Sequence, residues 1–324
     1  MRFTHIYVEE RASGYPLAKE IISKLPDASI VPIKHYKDVF DRKRQNVALQ
    51  KDNNALIIAV RDGNRVFEGA PVCQSFGYQY FYYASSMMNC PFDCEYCYLK
   101  GMYPSSNMVV FVNLEGYRSD VEEKLKEGPM YVCASYDTDL LAMNPLTGHA
   151  DYWKELALTH DNLLVELRTK AAVQVTDNIP NIIYAFTVSP DEVVGRFEKN
   201  TAPVSARINA AAKAIANGAK VRLCFDPIIK IPEWKEAYKK LIDECSAQID
   251  FQKLTDVSVG TFRISADYLN KMRRAYPDSK TAWYPYVIKD GVAQYEPETD
   301  KAMQEYVCAL LEKHIGREKI FTWN

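Results

Sequence analysis

Short runs of β-branched and aromatic residues recur along the chain, separated by segments whose apolar positions repeat every three to four residues. That alternation is the pattern of βα units around a parallel sheet. The runs predict strands at HIYVEE (5–10), ALIIAV (55–60), MVVFVNL (108–114), MYVCAS (130–135), LLVELRT (163–169), IIYAFTV (182–188) and KVRLCFDPI (220–228). Helical periodicity predicts helices over 15–24, 119–127, 149–159, 205–218, 232–248 and 298–314, the segment 205–218 most sharply because Ser205 can cap it and Gly218 stops it. Residues 276–296 are aromatic, turn-rich and non-periodic, so they read as a loop or hairpin before the last helix. The strands from 108 onward, with one before the cysteines, suit a partial barrel better than a closed eight-unit one. The expected class is α/β, with an N-terminal α/β extension over 1–75, the barrel over 76–260 and a C-terminal segment over 261–324.

Composition narrows the setting. A hydrophobic fraction of 48% with 25% charged residues is ordinary for a folded soluble protein. No run approaches the roughly 18 apolar residues of a membrane span, so no membrane partner is expected. The N-terminus, MRFTHIYVEERASGYPLAKE, carries charges where an export signal needs an apolar core, which points to the cytoplasm. In a reducing compartment the eight cysteines are more often metal ligands or reactive groups than disulfides. With a net charge of −2, any nucleic-acid contact has to be a local patch.

The stretch NCPFDCEYCYLKG places Cys90, Cys94 and Cys97 within eight residues. Structural zinc sites close with four ligands, and no second Cys pair or Cys–His pair lies near this one. A cubane iron–sulfur cluster also takes four thiolates as a rule, so a loop offering three leaves one iron with an open coordination site. Cys-x3-Cys-x2-Cys with an aromatic residue before the last Cys is the signature of radical S-adenosylmethionine enzymes. The flanks narrow the likeness. YPLAKE near the start, CPFDCEYCYL followed by the VFVNL strand, LRTK after the second following helix, and a C-terminal aromatic hairpin make most of the chain resemble the spore photoproduct lyase family.

That resemblance implies a partial (β/α)6 TIM-like barrel with a [4Fe–4S] cluster and S-adenosyl-L-methionine at its C-terminal mouth. It implies a DNA-repair lyase that uses a 5′-deoxyadenosyl radical to revert a methylene-bridged thymine dimer to two thymines, drawing electrons from a donor such as flavodoxin or ferredoxin. Cys90, Cys94 and Cys97 become iron ligands; Tyr96 and Tyr98 match family tyrosines, one near the adenine and one proposed to carry a radical. Lys170 matches a lysine that meets the cofactor carboxylate. Ser135, Thr138, Ser189 and Asp226 are cofactor-side candidates at the ends of strands and in the loop after 133. Two other readings stay open: a related radical enzyme with another substrate, and a cluster-bearing nucleic-acid-binding or redox-sensing protein without radical chemistry.

The hydrogen donor is where the chain departs from the family. An ungapped match puts Tyr136 at the donor position, whereas a three-residue loop insertion makes Cys133 the donor and Ser135 a cofactor contact. Cys133 is preferred, because a strand-end thiol with its weak S–H bond is the chemically suitable donor, whereas a phenol could relay a radical but is a poorer source of that hydrogen. Cys73, Cys224, Cys245 and Cys308 show no ligand spacing and read as packing or surface thiols. For DNA, Arg263, Lys271, Arg273 and Arg274 are candidate phosphate contacts, with Trp283, Tyr284 and Tyr286 as a wedge or stacking surface.

Overall fold

Seven strands lie side by side in one direction, with an eighth added antiparallel at the edge. In a computed structural model describing residues 3–70 and 73–322, their order is Ile320–Thr322, Asp256–Thr261, Lys220–Ile228, Ile182–Thr187, Leu163–Thr169, Met130–Cys133, Tyr80–Ala84 and Val66–Glu68. Along the central strands residues alternate in character. Val165, Leu167, Tyr184, Phe186, Leu223 and Phe225 belong to the apolar core with Trp153, Ile208 and Leu241 of the helices His149–Leu158, Val204–Ala216 and Trp234–Gln248. The intervening positions are Glu166, Arg168, Arg222, Cys224, Asp256 and Ser258, and they share the other face.

That polar face is concave. Arg222 donates to the Tyr131 hydroxyl at 2.7 Å although their strands are three steps apart, about 14 Å in a flat sheet. The sheet must therefore curl, and the expected partial barrel is what forms, with parallel strands from Tyr80–Ala84 round to Asp256–Thr261. Neither of these two strands was marked by the apolar runs; the first is wholly aromatic and small, and the second carries polar residues at its inward positions.

Met108–Phe111, expected in the barrel, pairs with Leu56–Ala59 instead. It extends a second sheet, ordered Ser29–Ile33, His5–Glu9, Leu56–Ala59, Met108–Phe111 and Met87–Met88, so this sheet runs past residue 75. All four of its residues are buried, and such a run fits any strand covered on both faces. At the other end, Val287–Lys289 and Val292–Gln294 form a hairpin, turned by Asp290 and Gly291 in left-handed conformations (φ 49° and 78°). The helix Pro297–Leu311 follows it. The helix Ala266–Ala275 packs on Leu99–Met102 so closely that a Cβ on Gly101 would lie 2.3 Å from the Tyr268 carbonyl oxygen. The C-terminal segment is thus seated on the cysteine loop. Among the described residues no helix is long and apolar enough to cross a membrane.

Candidate active site

The cysteine loop is anchored at several points. Asn89, in a left-handed conformation that asparagine tolerates, donates through Nδ2 to the carbonyls of Ser105 and Asn107, both at 2.7 Å. Lys51 Nζ donates to the Cys90 carbonyl at 2.8 Å, and Lys100 pairs with Asp93 at 2.6 Å. Glu95 Oε1 accepts from Ser279 Oγ at 2.9 Å and the Thr281 amide at 2.8 Å, which ties the loop to the segment before the hairpin. All three loop thiols are unoxidised. Burial raises each of them, Cys94 to about 12, and Cys90 and Cys94 each also feel a neighbouring thiol of the loop.

Among the described residues no three such groups close around a single metal ion. Three thiols spread along one loop fit a polynuclear cluster better, since each ligand then binds its own iron. Lys51, Lys100 and Lys170 all stand close enough to Cys97 to favour its thiolate, as an anionic cluster site requires.

Beside the loop lies a charge cluster the sequence did not disclose. Asp93–Cys94 pairs antiparallel with Glu198–Lys199, so that Glu198 stands opposite Cys94. The Tyr96 hydroxyl donates to the Glu198 carboxylate, Lys170 Nζ donates to Tyr96 Oη at 2.8 Å and to Glu198 Oε1 at 2.9 Å, and Ser189 Oγ donates to Glu198 Oε1 at 2.9 Å. Arg207, fully buried, pairs with Oε2 at 2.6 Å. Burial would raise Glu198, yet Lys170 and Arg207 hold it down near 2. Two cations thus share one buried carboxylate, and Asp139 sets a second carboxylate beside Lys170. Tyr96, Lys170 and Ser189 are therefore brought together, and Glu198 and Arg207 are the additions. In the sequence each is one charge among several in an ordinary segment, with nothing to set it apart.

The loop after Cys133 is held by Asp139, which accepts from the Ala142 amide at 2.9 Å, the Lys170 amide at 2.8 Å and Thr169 Oγ1 at 2.9 Å. Within it the buried hydroxyls of Ser135 and Thr138 have no hydrogen-bond partner among the described residues. Orphaned buried hydroxyls in a loop that Asp139 ties to Lys170 are what a polar cofactor would satisfy. The residues present thus fit both implied groups.

Cys133 sits on the concave face, its thiol 3.9 Å from Tyr131 Oη and 3.8 Å from Glu166 Oε1. Tyr136 points its hydroxyl at the thiol of Cys73, and the Tyr98 hydroxyl donates to the Tyr136 carbonyl. Cys73 is therefore neither plain packing nor a surface thiol. Burial raises both Cys73 and Cys133, so both stay S–H. Asp226 does not join the Lys170 group; it lies between Arg168 and Arg263 on the concave face.

Of the DNA candidates, Lys271 and Arg274 are exposed on the Ala266–Ala275 helix, and Trp283 is 55% exposed. Arg273 lies over the Trp283 ring at 5.2 Å and donates to the Ala282 carbonyl at 2.8 Å. Tyr284 and Tyr286 pack against Tyr295, with ring centroids 4.9 and 5.3 Å away, and so form the base of the hairpin more than a free stacking surface. Arg263 precedes the helix and faces the barrel mouth instead of its solvent side.

The spore photoproduct lyase family model matches residues 2–285. A spore photoproduct lyase of Bacillus subtilis (strain 168) is 23% identical, the alignment covering 97% of this chain and 96% of the relative. A solved spore photoproduct lyase complexed with dinucleoside spore photoproduct superposes with a TM-score of 0.81 at 19% identity, over 99% of this chain and 98% of that one. A mutant of such an enzyme with bound AdoMet and dinucleoside spore photoproduct gives 0.82 at 20% identity, over 99% and 98%.

Proposed function

The chain belongs to the spore photoproduct lyase family, and from that premise we propose that it is a radical S-adenosylmethionine lyase that reverts the spore photoproduct in DNA to two thymines. The observation that carries this reading is the three-thiol loop set beside Lys170, which Glu198, in register with Cys94, holds in place. Cys90, Cys94 and Cys97 would hold a [4Fe–4S] cluster. Lys170 would meet the cofactor carboxylate, with Tyr96, Ser189 and the unpartnered hydroxyls of Ser135 and Thr138 lining the rest. When bound, the two groups supply a 5′-deoxyadenosyl radical.

The chain's own residues do the remainder. The polar concave face receives the lesion, drawn out of the stack where pairing is already damaged. Trp283, Lys271 and Arg274 offer an exposed aromatic and two cations for the surrounding duplex. Cys133, kept as S–H by burial, gives its hydrogen to the thymine radical left after the bridge breaks. A second reading, in which Cys73 is the donor, is favoured by its contact with Tyr136, the residue at the donor position in the ungapped match. A small flavodoxin- or ferredoxin-type protein supplies the electron.

The test is anaerobic turnover of a dinucleotide lesion with S-adenosylmethionine and a chemical reductant. Thymines with 5′-deoxyadenosine are expected. Cofactor cleavage without thymines would point to another substrate, and no cleavage at all would remove the radical chemistry.

A further inference from the structure

The loop that carries the three thiols has two sides. Cys94 is buried opposite Glu198, on the side of Lys170 and the proposed cofactor pocket. Cys90 and Cys97 are only half-buried, and both line a shallow cleft with Val47, Lys51, Phe92 and Tyr276. One wall of that cleft is the short helix Val47–Asp52, whose Leu49 is 69% exposed. Hydrogen bonds tie this wall to the cysteine loop and the segment beside it. Lys51 Nζ reaches the Cys90 carbonyl, Gln50 Oε1 accepts from Ser105 Oγ at 3.1 Å and from the Ser106 amide at 3.0 Å, and Gln45 Nε2 donates to the Pro104 carbonyl at 3.3 Å. Just before the helix, residues 41–46 read DRKRQN, three cations against one acid. Arg42, Lys43 and Arg44 are all exposed, and among the described residues no carboxylate pairs with them.

Resting on the functional reading above, we propose that this face docks a small acidic electron-carrier protein of the flavodoxin kind, with Leu49, Arg42, Lys43 and Arg44 in the contact. The two sides of the loop divide the traffic. Cofactor and lesion occupy the side of Cys94 and Lys170, so the electron enters from the other, where two of the three proposed ligands reach toward solvent. One electron passes from the carrier's reduced flavin to the cluster, oxidising the first and reducing the second, with no bond made or broken. The charge is complementary. At −2 overall the chain offers an acidic protein no general attraction, so a local group of cations is what steers it here. An exposed leucine beside unpaired cations also matches an interface of apolar centre and charged rim. A basic run suits nucleic acid as well, but residues 41–53 hold no aromatic side chain on which a base could stack, and they are hydrogen-bonded to the cysteine loop itself.

The experiment titrates flavodoxin into the full chain with its cluster reconstituted and reads binding directly. Affinity is expected to fall about tenfold or more as salt rises from about 30 to about 300 mM, because exposed charges are screened. Arg42→Glu/Lys43→Glu/Arg44→Glu should weaken binding at low salt about tenfold or more. In that variant 5′-deoxyadenosine formation driven by reduced flavodoxin should fall in step, while formation driven by dithionite stays within about twofold of the unsubstituted chain. Dithionite-driven cleavage together with no flavodoxin binding, or with binding indifferent to salt, overturns the inference and leaves the lyase reading intact; that arm needs no variant to fold. Undiminished flavodoxin binding by the charge-reversed variant also overturns it, and a loss of affinity for undamaged duplex in the same variant would make the face a nucleic-acid surface. No cleavage by the unsubstituted chain even with dithionite overturns the lyase reading and the inference with it.

Discussion

Glu198 faces Cys94 across a two-residue antiparallel pair, so the buried carboxylate that fixes Lys170 rides on the same ladder as a proposed iron ligand. Cluster loop and cofactor pocket are therefore one mechanical unit. Lys170→Ala should weaken S-adenosylmethionine binding more than tenfold, as loss of a charge-assisted contact of roughly 1.5–3 kcal/mol requires. The fold should survive, because Arg207 still pairs with Glu198. Equilibrium binding and thermal unfolding of the same variant check both halves. An unchanged dissociation constant would make Lys170 only a partner of Glu198.

Replacing Cys90, Cys94 or Cys97 singly with Ala should abolish 5′-deoxyadenosine formation, since a three-thiol loop has no spare ligand. Iron content and cofactor cleavage in the reconstituted variants are the measurements. Full cluster and cleavage in all three would remove the assignment.

The cysteine spacing and Lys170 were legible because their signals are local, confined to a few adjacent residues. Glu198 and Arg207 were not, because their meaning comes from a pairing about a hundred residues away from Cys94 in the chain. In LLVELRT and KVRLCFD, the charges Glu166, Arg168, Arg222 and Asp226 all fall on one alternating face, shared with Leu164 and Cys224, and a parallel strand covered on both faces should read as a near-continuous apolar run. Glu166, Arg168, Arg222 and Asp226 at that period already announce a polar concave face.

Glu166 sets an acid limit on the fold. Burial would raise it, but Arg168 and Arg222 hold it at about 2, below its ordinary 4.5. A depressed carboxyl stabilises above its unfolded value and loses that contribution as pH falls from about 4.5 toward 2. The loss is of order 3 kcal/mol. Denaturant unfolding at pH 6 and pH 3 should show the gap between the native chain and Glu166→Gln narrowing at the lower pH. A gap independent of pH would mean that Glu166 titrates in the fold as it does in the unfolded chain.

Trp283 is exposed at the hairpin base with Arg273 over its ring, a placement suited to duplex contact and unnecessary for binding a dinucleoside. Trp283→Ala should weaken binding to lesion-bearing duplex by about 1–3 kcal/mol, the worth of a stacked base. Affinity for the dinucleoside should stay as it was. Equal losses on both ligands would place the tryptophan's effect in the fold.

The donor is decided by products. Cys133 is buried and Cys73 half-buried; Cys133 is bracketed by Tyr131 and Glu166, whereas Cys73 touches the Tyr136 hydroxyl. If Cys133 quenches the thymine radical, Cys133→Ala should still cleave the cofactor and take hydrogen from the lesion, because those steps use the cluster and cofactor sites alone. The stranded radical would then be trapped by solvent- or reductant-derived species, giving abnormal products. Cys73→Ala and Tyr136→Phe should both give normal thymines. Abnormal products from Cys73→Ala, with normal thymines from Cys133→Ala, would move the role to Cys73 and make Tyr136 its partner in the radical path. Abnormal products from Tyr136→Phe alone would favour the ungapped alignment. Normal thymines from all three variants would pass the role to Cys224, which is buried on the same concave face and raised to about 12, so that it too remains S–H.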